Sequence, residues 1–139
     1  MTNAEARRRF AAATLAHLAT ADEHGRPHLV PMVFVLREET IYSAVDSKPK
    51  RTRSLRRLAN VAANPRVAVL VDHYAEDWES LWWVRADGTG RVLDATDAEG
   101  REALTLLRAH HAQYREQPPA GPVLAVDVER WSSWSARGE

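Results

Sequence analysis

Apolar residues recur along this chain with two periods, and the switches between them mark its elements. Ala6 and Phe10 lie one helical turn apart, on a short helix that Asn3 caps and that runs through Ala13. Leu15 to Ala21 alternates apolar and small or polar residues, as a strand does, and D-E-H-G-R at 22–26 is a turn in which Gly25 supplies a positive φ. Pro27 to Leu36 predicts one long strand, paired in a hairpin with Thr40 to Val45. Pro31 sits in its middle, lacks a ladder donor, and so predicts an edge, a bulge or a bend. Leu55, Leu58, Ala59 and Ala62 mark one face of a helix that Thr52 starts and Asn64-Pro65 stops. Arg66 to His73 is nearly continuous Val and Leu, the pattern of a strand buried on both faces. Leu81 to Ala86 and Arg91 to Ala95 predict a second hairpin around D-G-T-G at 87–90. A helix follows from Thr96 to about Tyr114, then a break at Q-P-P-A-G-P, then a last strand, Val123 to Val128, with W-S-S-W closing the ordered chain. About six or seven antiparallel strands with three helices, in so short a chain, predict a mainly β (α+β) small barrel in a single domain over 1–139.

Charge changes this picture. The 139 residues are 45% apolar and carry zero net charge. Yet between Asp46 and Asp72 no acid occurs, while Lys48, Lys50, Arg51, Arg53, Arg56, Arg57 and Arg66 are basic; from zero overall, those seven leave −7 for the remainder. Several of these cations crowd a helix start that is already electropositive, which makes sense if an anion sits among them. The expectation is therefore a phosphate site, and not a general nucleic-acid surface, which needs a broad positive field. With no cysteine, disulfides, thiolate metal sites and cysteine nucleophiles are excluded. No apolar run reaches the ~20 residues of a membrane span, and the N-terminus carries no secretory pattern, so a cytoplasmic protein without membrane partners is expected.

The remaining chemistry is sparse. The six histidines show no metal spacing, and neither a nucleophile elbow nor a dinucleotide fingerprint occurs. An anion site with aromatic neighbours and no visible acid, base or nucleophile suits a cofactor holder, in which the cofactor carries the chemistry. A flat tricyclic ring can lie against Pro31, Met32, Val33 and Phe34, with its phosphate at Lys48 to Arg53 and Trp78, Trp82 and Trp83 as apolar wall.

Three segments carry a resemblance. G-R-P-H-L-V-P-M-V-F-V, then the run D-S-K-P-K-R-T-R-S-L-R-R-L through N-P-R-V-A-V-L-V-D, then Y-A-E-D-W-E-S-L-W-W-V-R-A resemble the pyridoxamine-phosphate-oxidase-like superfamily, and within it the actinobacterial branch that uses the deazaflavin coenzyme F-420. The resemblance implies a split β-barrel, a homodimer, and a cofactor in a groove between subunits. It places the ring against Pro31, Met32 and Val33, and the phosphate at Lys48, Lys50, Arg51, Thr52 and Arg53. It gives Trp78, Trp82 and Trp83 as an aromatic signature, a wall for substrate or second subunit, and names no catalytic side chain. Oxidases of vitamin B6 continue into a longer basic C-terminal segment, so that activity is not expected. The implied reaction is hydride transfer from coenzyme F-420 to a small conjugated molecule. The alternatives are an FMN oxidoreductase and a non-catalytic flavin or haem carrier.

Overall fold

A computed structural model describes residues 1–45 and 51–138, of which 51–55 by their backbone. Its elements are α1 (Asn3–Ala12), β1 (Leu15–Ala21), β2 (Pro27–Val33), β3 (Val35–Arg37), β4 (Thr40–Ala44), α2 (Arg51–Ala63), β5 (Arg66–His73), a 3₁₀ turn (Trp78–Ser80), β6 (Trp82–Leu93), α3 (Ala98–His110), α4 (Ala112–Glu116) and β7 (Val123–Ser135). The strands form one seven-stranded sheet in the order β2-β1-β5-β6-β7-β4-β3, antiparallel throughout. β2 and β3 are neighbours in sequence yet stand at opposite ends of that order. The sheet curls, and Ser43 Oγ reaches across the opening to donate to the Val33 carbonyl at 2.8 Å. This is the split barrel expected from the sequence.

Five local expectations change. The long strand with its hairpin partner is two strands: β2 pairs with β1, β3 with β4, and the chain switches at Phe34. Pro31 accordingly lies on an edge strand. D-G-T-G is no turn but part of the twelve-residue strand β6, and the pairing with β7 shifts by one residue between Asp87 and Gly88, where Glu129 of β7 has no register partner. The glycines of β6 serve close approach: a Cβ on Gly90 would stand 3.0 Å from a Val61 methyl, which is how α2 seats on β6. W-S-S-W lies inside β7, a strand of thirteen residues paired to β6 as far as Ser135. Finally, β5 is not buried on both faces; Val67, Val69 and Val71 point inward, while Ala68 and Leu70 are half-buried on an outer face that no helix of the described residues covers. The doubly buried strand is the start of β7, because α3 covers it from outside. Thr2, not Asn3, caps α1, its hydroxyl accepting from the Glu5 amide at 3.1 Å.

Two cores result. Inside the curl, Phe10, Leu18, Met32, Phe34, Ile41, Leu58, Val61, Leu124 and Val126 pack together. Phe10 docks α1 through rings centred 5.1 Å from both Phe34 and Trp131. Outside, Ala103 and Leu107 of α3 pack on Val35, Tyr42, Val123 and Ala125. Asn60 of α2 donates to Thr20 Oγ1 of β1 at 3.0 Å, a buried polar pair that fixes the rotation of α2 on the sheet.

Charge fastens α3. Arg91 makes two bonds to Glu99, at 2.7 and 2.8 Å, and two to Asp127, at 2.6 and 3.0 Å; Tyr42 donates to Glu99 at 2.7 Å. Arg91, then Tyr42, pull the Glu99 carboxyl from its ordinary 4.5 to about 2, and Arg91 holds Asp127 low. Ionised in the fold more readily than in the unfolded chain, Glu99 adds stability that is complete above pH 4.5 and disappears as pH falls toward 2. Arg91→Met should cost about 1–2 kcal/mol near neutral pH, after allowing for solvent screening of these half-exposed groups. The variant's thermal midpoint should also fall less between pH 4.5 and 2 than that of the parent, because Arg91 sets much of the Glu99 shift. Equal slopes in a melting series over that range would show that this cluster does not govern acid stability.

Candidate functional site

The helix α2 begins in cations and has no acid in its first turn. Arg51, Thr52 and Arg53 form that turn; Lys48 and Lys50 lie outside the described residues. One turn on, Arg56 is exposed and Arg57 half-buried. Among the described residues the Arg57 Nε has no hydrogen-bond partner, although it is buried. Burial weakens its hold on its proton, which nearby Tyr114 of α4 partly offsets. A second orphan faces this helix from β2: buried Nδ1 of His28 also lacks a partner. Burial first, then Arg56 and Arg57, push the His28 imidazolium below its ordinary range. A guanidinium N–H buried without an acceptor is costly, and here two unsatisfied nitrogens stand in a region without an acid. That combination fits a bound anion.

Tyr114 also lines a cavity. This cavity, of about 520 Å³, lies between Ala12–Thr14, Val33 and the α3–α4 corner, His110 to Tyr114. His111 leaves the helical conformation, at φ −122° and ψ 112°, and turns α4 relative to α3. Its Nε2 lies 2.7 Å from the Phe34 carbonyl, which can only accept, so Nε2 carries the hydrogen. The ring of His111 meets that of Tyr114 edge-on at 5.8 Å. Tyr114 therefore belongs to both regions: one polar and cationic, the other apolar with hydroxyl, amide and imidazole groups around it.

Of the three residues expected to meet the ring, the structure gives Val33 to this cavity and leaves Pro31 exposed on the edge. Met32 is 5% exposed and packs in the inner core, so it offers a ligand its backbone only. The three tryptophans do not meet. Trp82 and Trp83 point to opposite faces of β6: Trp82 stacks on His73 beneath the Arg9 guanidinium, and Trp83 lines a groove of about 620 Å³ on the outer sheet face with Leu29, Leu70 and Tyr74. Trp78 is 77% exposed on the 3₁₀ turn. Sequence reasoning missed His28, His111 and Tyr114. The signal for Arg57 was its place in the acid-free run; for His28, only its two-residue phase with Met32 was available. Among the described residues no three His, Asp or Glu side chains are grouped to hold a metal ion, and no helix is long and apolar enough to cross a membrane.

A curled antiparallel barrel with an edge strand at its opening and a helix that starts in cations defines a class of small split-barrel proteins. The chain belongs to the pyridoxamine 5'-phosphate oxidase family, which it matches over residues 2–135. It is 34% identical over 96 residues to the 5a,11a-dehydrotetracycline/5a,11a-dehydrooxytetracycline reductase of Streptomyces rimosus, a match spanning 67% of this chain and 66% of that protein. In fold it is similar to the heme storage protein HutZ of Vibrio cholerae (TM-score 0.74, 14% identity, 96% of this chain and 93% of that one). It is also similar to an FAD-binding protein of Mesorhizobium loti (TM-score 0.71, 20% identity, 96% and 94%).

Proposed function

We propose that this chain is an oxidoreductase that holds coenzyme F-420 in the groove beside β2 and reduces a small conjugated organic molecule. The observation that carries the reading is the buried Arg57 Nε without an acceptor, one turn into a helix whose first turn has cations and no acid. Arg57, Arg56 and the first turn of α2, with Lys48 and Lys50 before it, bind the phosphate. Pro31 and Val33, with the backbone of Met32, orient the ring along the free edge of β2. When bound, coenzyme F-420 supplies a hydride from its deazaflavin ring. The protein's part is orientation and exclusion of water, the largest effects available to a site without an evident catalytic side chain.

The family supports a flavin-type cofactor, and the relative named as a reductase of dehydrotetracyclines supports reduction of a conjugated acceptor. The choice of F-420 over FMN is supported by charge. The cations continue from the start of α2 to Arg56 and the half-buried Arg57, which suits a phosphodiester with an acidic tail better than one terminal phosphate. Fluorescence titration of the purified chain should show coenzyme F-420 binding more tightly than FMN. Equal or reversed affinities would sink the deazaflavin choice and leave FMN. A reduced cofactor that binds but is never reoxidised by quinones, enones or dehydrotetracyclines would make the protein a carrier.

The outer face of β2-β1-β5-β6 supports a homodimer. Leu29 is 67% exposed there, beside half-buried Leu70 and Trp83. Light scattering of the loaded protein at micromolar concentration checks this; a monomeric mass removes the second subunit's part in the site.

A further inference from the structure

The cofactor reading accounts for Arg57 and leaves His28 without a task. Both side chains bury a nitrogen that has no partner, one on α2 and one on β2, near enough for the Arg57 charge to act on His28, and they do not satisfy each other. The guanidinium Nε–H is a donor in every state. The His28 Nδ1 is a lone pair in one tautomer of the neutral ring and a donor in the protonated ring. A single anionic group that accepts from both would satisfy both; the neutral Nδ1–H tautomer can donate too, but only the protonated ring adds a positive charge facing the anion.

The surroundings explain why the proton is absent until the anion arrives. Burial and the two arginines Arg56 and Arg57 of α2 disfavour the charged ring, and no carboxylate among the described residues counters them. From α4, Tyr114 acts on Arg57. The residue opposite His28 on β1 is Thr20, which is uncharged. A phosphate placed at Arg57 cancels the arginine field and offers an acceptor, so the same ring then favours the charged form.

We propose that His28 is the proton-coupled half of the anion site: a phosphate group held by Arg57 draws one proton from solvent onto Nδ1 of His28, and the new N–H donates to the phosphate. The proposal rests on the cofactor reading above. Only an N–H bond forms, and the proton comes from the buffer. His28 thus selects for ligands with full negative charge, and binding tightens as pH falls.

Calorimetric titration of the full chain with coenzyme F-420 and with FMN, near pH 7 in buffers of different ionisation heat, counts the protons taken up. FMN's phosphate itself titrates near pH 6 whereas a phosphodiester does not, so the deciding quantity is wild type minus His28→Gln with the same cofactor. Wild type should take up about half to one proton more than the variant, and its affinity should fall up to about tenfold further per pH unit above neutrality. In the wild-type protein, the NMR titration midpoint of the His28 ring should rise by about one pH unit or more on loading, a reading that does not depend on how the variant folds. Equal proton uptake and an unmoved His28 midpoint would overturn the proposal while leaving the cofactor site intact. Failure of wild type to bind either cofactor, or undiminished binding in Arg57→Gln, would remove the anion site and this role with it.

Discussion

Gly88→Ala destabilises the protein by about 3 kcal/mol or more, the cost of forcing a methyl into packed backbone. A Cβ at this position would stand 2.2 Å from the Asp127 carbonyl oxygen and 3.0 Å from its carbon. Both are main-chain atoms of β7, so no side chain can swing aside. The contact exists where the register between the two longest strands shifts at Asp87/Gly88, with Glu129 of β7 left unpaired. Separating them would also pull Asp127 away from Arg91 and loosen α3. Gly25→Ala is the control: its φ is +80° but a Cβ there meets nothing within 4 Å, so only backbone strain of about 1 kcal/mol is expected. Urea unfolding of the two variants checks the contrast. Similar midpoints would mean that β6 and β7 can part at the bulge without loss.

Arg57→Met weakens binding of a phosphate-bearing cofactor by about 1.5–3 kcal/mol, roughly ten- to 150-fold, the worth of a charge-assisted bond. The same change should leave the apo protein as stable or more so. Arg57 buries an unpartnered nitrogen beside other cations, and methionine fills the same space without charge. Opposite signs for ligand binding and apo stability separate a binding residue from a structural one. A variant that loses stability and keeps its cofactor affinity would show that Arg57 supports the fold and not the ligand.

Much of the architecture was legible in the residues. Alternation in L-A-H-L-A-T-A and the Val run from Arg66 gave β1 and β5 with their observed ends, and the acid-free run marked the cationic start of α2. What failed, failed for tertiary reasons. D-G-T-G carries local turn chemistry, yet in β6 its glycines answer to neighbours distant in sequence: Asp127 at Gly88, Val61 at Gly90. β5 and the start of β7 are both apolar runs, and only the position of α3 decides which is covered on both sides. His28 could not be read as a site residue because its meaning depends on the fold bringing Arg56 and Arg57 of α2 near it. Met32 and Val33 are adjacent in sequence, but the pleat sends one side chain into the core and the other into the cavity.

The most direct test is a crystal structure of the protein with its cofactor bound. The account predicts the phosphate within hydrogen-bond distance of Arg57 Nε, beside His28 and the start of α2, with the ring along the edge of β2 at Val33. A cofactor seated elsewhere, with Arg57 Nε still lacking an acceptor, would contradict it.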